Sequence, residues 1–164
     1  MTPLRWIVAA VALLRLAELL YAGRNTRRLL ARGGVEVAPE QYPWFVALHA
    51  AWLLSLLLFV PAGARPNLFL LGLFALAQGA RIWIIATLGA FWTTRVVTLP
   101  GAPLVRAGPY RLMRHPNYAI VCVEIAALPL AFGSWPIALF FSLANAVLIA
   151  WRIRLEDAAL DERR

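Results

Sequence analysis

Apolar residues run through this chain in long blocks, with no alternation of the kind that marks half-buried strands. Leu4 to Ala22, Pro43 to Val60 and Asn67 to Leu88 form the first three. Each is long enough, as a helix, to cross about 30 Å of hydrocarbon. The first block contains Arg15 and Glu18 where a signal peptide would have a clean cleavage site, so it predicts a retained helix. Three residues apart, these two side chains share a helix face and can pair, with a functional role as the alternative. The polar stretch that follows, with Arg24, Arg27, Arg28 and Arg32, should extend the helix until Gly33-Gly34 ends it. Residues 61–66 read as a tight turn with proline at both ends, and Gln78 and Arg81 in the third block should face protein, not lipid.

Beyond Leu88 the pattern changes. Gly89 to Asn117 holds Arg95, Arg106, Arg111 and Arg114 together with four prolines and three glycines, which predicts a folded loop. Two shorter apolar runs follow, Tyr118 to Phe132 and Trp135 to Trp151, separated by Gly133-Ser134. Sixteen helical residues reach only about 24 Å, so these two should form a short helical hairpin. The tail, 152–164, is charged and helical in character. The pattern therefore predicts an all-α integral membrane protein of about five transmembrane helices, the last two a short hairpin. It forms a single membrane domain over 1–164, with a three-helix part at 1–88 and a second part at 89–164.

Composition agrees: 62% of the residues are hydrophobic, 15% are charged, and mean hydropathy is +0.72. A soluble domain of this size has too little interior to hide so much apolar surface. The net charge of +8 comes from sixteen arginines and no lysine. They lie between apolar runs and not on one polar face, which argues against nucleic acid and for topology signals and anionic lipid head groups. Some of them can also bind an anionic substrate. Twelve fall in the 23–42 loop, the 89–117 loop and the tail. The positive-inside rule puts that side, with the C-terminus, in the cytoplasm, as expected for a bacterial inner membrane.

The single cysteine, Cys122, excludes an internal disulfide and reads as a small buried hydrophobe. With only two histidines, His49 and His115, a metal centre is not expected. His49 lies inside the second span, either buried with a hydrogen-bond partner or catalytic. Glu124, in the first hairpin arm, must be paired, neutralised or turned toward a polar cavity. Trp92, Trp135 and Trp151 sit near span ends and read as interfacial anchors.

The densest chemistry lies in Gly108-Pro109-Tyr110-Arg111-Leu112-Met113-Arg114-His115-Pro116-Asn117-Tyr118. Pro116 keeps His115 out of regular helix geometry. The stretch can therefore present backbone and side-chain polar groups at the membrane surface, or simply form an interfacial belt of Tyr and Arg. About forty residues on, Arg152 and Glu156 stand four apart on one helix face. An isolated pair there would be a plain salt bridge. Here the hairpin between the two stretches can fold them together.

Gly-Pro-Tyr-x-x-x-Arg-His-Pro-x-Tyr, then a hydrophobic hairpin, then Arg-x-x-x-Glu-Asp-x-x-Leu resembles the isoprenylcysteine carboxyl methyltransferase family over roughly residues 95–160. The resemblance implies a cytoplasm-facing pocket for S-adenosylmethionine without a Rossmann domain, and no GxGxxG loop is present. It implies that Tyr110, His115, Pro116, Asn117, Tyr118 and Glu156 bind this cofactor, with Leu104 and Val105 as an apolar pair against it. It places Arg152 at the reacting end of the acceptor, as the catalytic residue. Where the eukaryotic enzymes have a histidine ahead of the apolar pair and a glutamine further upstream, this chain has Ala102 and Arg95. The N-terminal half is more similar to bacterial members found with type III polyketide synthases, implicated in O-methylating alkylpyrones and alkylresorcinols.

The resemblance thus implies O-methylation of a lipidic acceptor: the carboxylate of a prenylcysteine-like compound, or the phenol or enol of an alkylresorcinol or alkylpyrone. A carboxylate arrives ionised, and Arg152 can hold it. A phenol or enol must lose a proton, a loss that Arg152 or Arg95 would favour, with His115 the nearest candidate base. Two other readings stand beside this one: an NADPH-dependent membrane reductase on a related scaffold, and a non-catalytic membrane subunit.

Overall fold

The computed structural model describes residues 2–160. Five helices follow one another: α1 (Pro3–Ala31), α2 (Tyr42–Phe59), α3 (Leu68–Leu88), α4 (Pro116–Ala131) and α5 (Trp135–Leu160). The protein is an all-α membrane protein, and four of these helices are long and apolar enough to cross a membrane. Large apolar side chains on their outer faces are exposed, among them Phe59, Leu68, Phe69, Leu76 and Val147. In water such a belt would be costly; against acyl chains it is the expected exterior.

Local chemistry ends the helices where the sequence marks their ends. Arg32 caps α1, Gly33 adopts φ +87°, and the Gly34 N–H donates to the Leu29 carbonyl at 2.9 Å. This left-handed stop needs glycine at the turn, and a Cβ on Gly34 would lie 2.7 Å from that same carbonyl oxygen. Asn67 caps α3, its Oδ1 accepting from the Leu70 N–H at 3.1 Å. Gly133, at φ +72°, closes α4 with the Ser134 N–H donating to the Pro129 carbonyl. Only the first arm of the expected short hairpin is short. α4 has 16 residues, whereas α5 has 26 and carries the charged tail as its own last turns. The end of the expected tail helix, 161–164, lies outside the described residues.

The α1–α2 link, the α3–α4 link and α5 meet at one end of the bundle. Two short strands tie the links together: β1 (Val35–Val37) pairs antiparallel with β2 (Val96–Thr98), Glu36 opposite Val97. Three-residue strands leave almost no periodicity to read, and the sequence pattern did not indicate them. The main core lies where α4 packs against α3 and α5, around Ile125, Leu128 and Leu56. Two side chains differ from expectation. Trp92 is buried, 3% exposed, against Ala22 and Ile84, and is no interfacial anchor. Cys122 is exposed on the outer face of α4 because the neighbours at 121, 124 and 125 take the inward positions.

Candidate active site

At the arginine-rich end the bundle opens into a cavity of about 1010 Å³. Its polar wall is built by the 89–117 link and the ends of α4 and α5. Gly108 starts a 3-10 turn (Gly108–Arg111) with φ +51°, and a Cβ there would meet the Thr87 hydroxyl at 2.6 Å. Only glycine lets the link come this close to α3, and that approach brings Tyr110 to the cavity. Burial, and then the charge of Glu156, push the Tyr110 hydroxyl above the ordinary phenol value, so it stays a protonated donor.

Arg152 organises the site. It is buried, 8% exposed, donates from Nε to the Tyr118 hydroxyl at 3.1 Å and from Nη2 to the Thr94 carbonyl at 2.8 Å, and lies over the Phe45 ring at 5.0 Å. Tyr118 in turn donates to the Glu156 carboxylate. A phenol therefore separates guanidinium from carboxylate, and among the described residues Arg152 has no direct ion pair. His115 stacks on Tyr118, ring centroids 5.3 Å apart, with Nε2 3.3 Å from Asp157 and Nδ1 4.0 Å from Glu156. The hairpin thus brings both sequence motifs to one place.

The remaining residues singled out in the sequence fall around this centre. Leu104, Val105 and Asn117 line the cavity. Asn117 accepts from Arg81 Nη1 at 3.3 Å. Pro116 is buried as the first residue of α4 and is not among the lining side chains. Arg95 also lines the cavity, paired with Glu36 at 2.7 Å across the strands and lying over the Tyr42 ring. Thr94 and Phe45 gave no signal beforehand, since a backbone carbonyl and a lone aromatic carry no readable motif.

Deeper in the bundle stands a second charged group. Arg81 donates to both oxygens of Glu124 at 2.9 and 2.5 Å, and Arg15 reaches Glu18 at 2.6 Å and Glu124 at 3.1 Å. Gln78 donates to Glu124 at 2.7 Å and accepts from Arg15 at 2.8 Å. Of the three possibilities for Glu124, pairing is the one realised. Arg15 and Glu18 pair as their spacing implies, and with Arg81 they line the inner end of the cavity.

Residues 70–162 match the isoprenylcysteine carboxyl methyltransferase (ICMT) family. The chain belongs to this family. It is 37% identical over 162 residues to the uncharacterized protein YpbQ of Bacillus subtilis (strain 168), covering 96% of each chain. An uncharacterized protein of Haemophilus influenzae is 22% identical over 160 residues, covering 93% of this chain and 91% of the other. No solved structure gives a significant match. Family membership and the apolar helices together make the protein an integral membrane methyltransferase.

Proposed function

We propose that this methyltransferase uses S-adenosylmethionine to O-methylate a lipidic acceptor that enters from the bilayer. One observation carries the reading: a single cavity joins the polar wall at the arginine-rich end to an apolar wall made by α1 and α2, including Ala12, Leu16, Val46 and Leu53. A soluble cofactor and a lipid can meet there without either crossing the other's medium. The polar wall suits the cofactor's chemistry. Glu156 offers a carboxylate to its cationic or hydroxyl groups, the stacked His115 and Tyr118 rings offer π-faces, and Leu104 and Val105 offer apolar contact. Tyr110, Pro116 and Asn117 complete that wall or support it. Bound there, S-adenosylmethionine supplies an electrophilic methyl group on a sulfonium.

The chain's own part is alignment, charge and exclusion of water. Tyr118 and the Thr94 carbonyl fix the Arg152 guanidinium, whose charge would stabilise an anionic acceptor oxygen. The acceptor is an alkyl- or prenyl-chain carboxylate, phenol or enol, and a polyketide synthase pathway would supply the phenolic or enolic kind. The arginine-rich end and the C-terminus would face the cytoplasm of a bacterial inner membrane.

Calorimetry on detergent-purified protein tests the reading, with S-adenosylmethionine and NADPH as ligands and Glu156→Ala as control. Saturable binding of S-adenosylmethionine, weakened in the variant, and transfer of its labelled methyl to a lipid extract are expected. Binding of NADPH alone would replace the reading with a reductase, and binding of neither would leave the reading with the motif match as its sole support.

A further inference from the structure

His49 lines the cavity and takes no part in the site described above. It stands on α2 one turn beyond Phe45, the ring that lies under the Arg152 guanidinium. A turn is about 5.4 Å, so His49 is attached one level further along α2 than the ring under Arg152, on the wall of the same cavity. Its Nδ1 lies 2.8 Å from the Phe45 carbonyl oxygen. A carbonyl only accepts, so Nδ1 carries the ring hydrogen and Nε2 holds the lone pair in the neutral ring. The charged groups that act on it or line the same cavity include Arg15 and Glu18 from α1, Arg81 from α3, Glu124 from α4 and Arg152 from α5. The first four are bound to one another, and no described carboxylate lies within ion-pair distance of the imidazole.

We propose that His49 is the proton acceptor when the acceptor is a hydroxyl compound, the phenol or enol of the O-methyltransferase reading. The inference rests on that reading. The acceptor's O–H bond breaks with its electron pair left on oxygen, and the proton bonds to His49 Nε2. That oxygen pair forms the new C–O bond as the methyl–sulfur bond breaks, its electrons returning to sulfur as a neutral thioether. Arg152 stabilises the oxygen while it carries charge, and His49 returns the proton to solvent after product leaves. A carboxylate, with its reference pKa of about 4, is already ionised at neutral pH and has no use for such a base.

The test uses the full chain, His49→Gln, and three acceptors: a long-chain alkylphenol, a ring-fluorinated analogue already ionised at the assay pH, and a long-chain carboxylate. Expected for His49→Gln is a loss of about 10²–10³-fold in kcat/KM on the plain phenol, a change under about threefold on the ionised phenol, and S-adenosylmethionine binding as in wild type. On the plain phenol the variant's rate should rise with pH as the phenol itself ionises, while the wild type, with its base in place, should depend on pH much less. Without cofactor, diethyl pyrocarbonate should modify His49 in the wild type, and bound alkylphenol should slow it; with two histidines in the chain, mass spectrometry separates the sites. Equal losses on both phenols would overturn the proposal by making His49 structural. Wild-type transfer to the carboxylate and to neither phenol would overturn it too, while leaving the O-methyltransferase reading intact. Failure of the wild type to bind S-adenosylmethionine would remove both.

Discussion

Two groups of arginines and carboxylates stand in this bundle, and they are built in opposite ways. In the inner one, Arg15, Glu18, Arg81 and Glu124 touch directly, each charge met by an opposite one at ion-pair distance. In the outer one, the Tyr118 hydroxyl stands between Arg152 and Glu156. A closed group in low dielectric neutralises itself and holds helices in register. An open group keeps a cation and an anion fixed but uncancelled along a cavity wall, where a ligand can complete them. The same residue types thus give a closed clamp in one place and, on the proposed function, a ligand-facing group in the other.

Breaking the clamp should have the largest effect. Glu124→Leu leaves Arg81 and Arg15 to share the single carboxylate of Glu18 inside the membrane and should cost about 3–5 kcal/mol, read as a lowered unfolding midpoint in detergent with activity lost along with the fold. Arg152→Ala should leave that midpoint nearly unchanged while slowing methyl transfer about 10²–10³-fold, measured with labelled cofactor at saturation. Were Arg152→Ala to unfold the protein as Glu124→Leu does, the contrast between the two groups would fail. Glu156→Gln sharpens the comparison within the open group. It should weaken S-adenosylmethionine binding by about 1.5–3 kcal/mol, seen by calorimetry, with little change in stability.

The smallest effect belongs to a third pair. Arg95 and Glu36 join the two short strands, but the Arg95 side chain is 37% exposed, so solvent screens the contact. Arg95→Ala should cost at most about 1 kcal/mol in the unfolding midpoint. A much larger loss would show that the strand pairing, and not the helix packing, holds the cavity mouth together.

Much of the fold was legible because membrane spans declare themselves by length and apolarity alone. The glycine pair at Gly33-Gly34 marked a helix end for a reason that is entirely local. The Arg15–Glu18 pair followed from helix spacing. The motif residues Tyr118, Arg152 and Glu156 could be named because their types and order carry the family resemblance. How the hairpin places a phenol between the two charges could not be read. The β1–β2 pair was invisible, since three-residue strands in unrelated links have no period and their register is set by where the helices deliver them.

Read alone, the sequence marks the first three spans, the end of α1 and the arginine-rich links. Those depend on composition and on neighbours a few positions away. Tertiary structure alone decided that Glu124 is paired, that Trp92 is buried and Cys122 exposed, that Arg152 rests on Phe45 and the Thr94 carbonyl, and that His49 shares a cavity with them. Each of these depends on which face of one helix meets another, and that is settled only when all five helices pack at once.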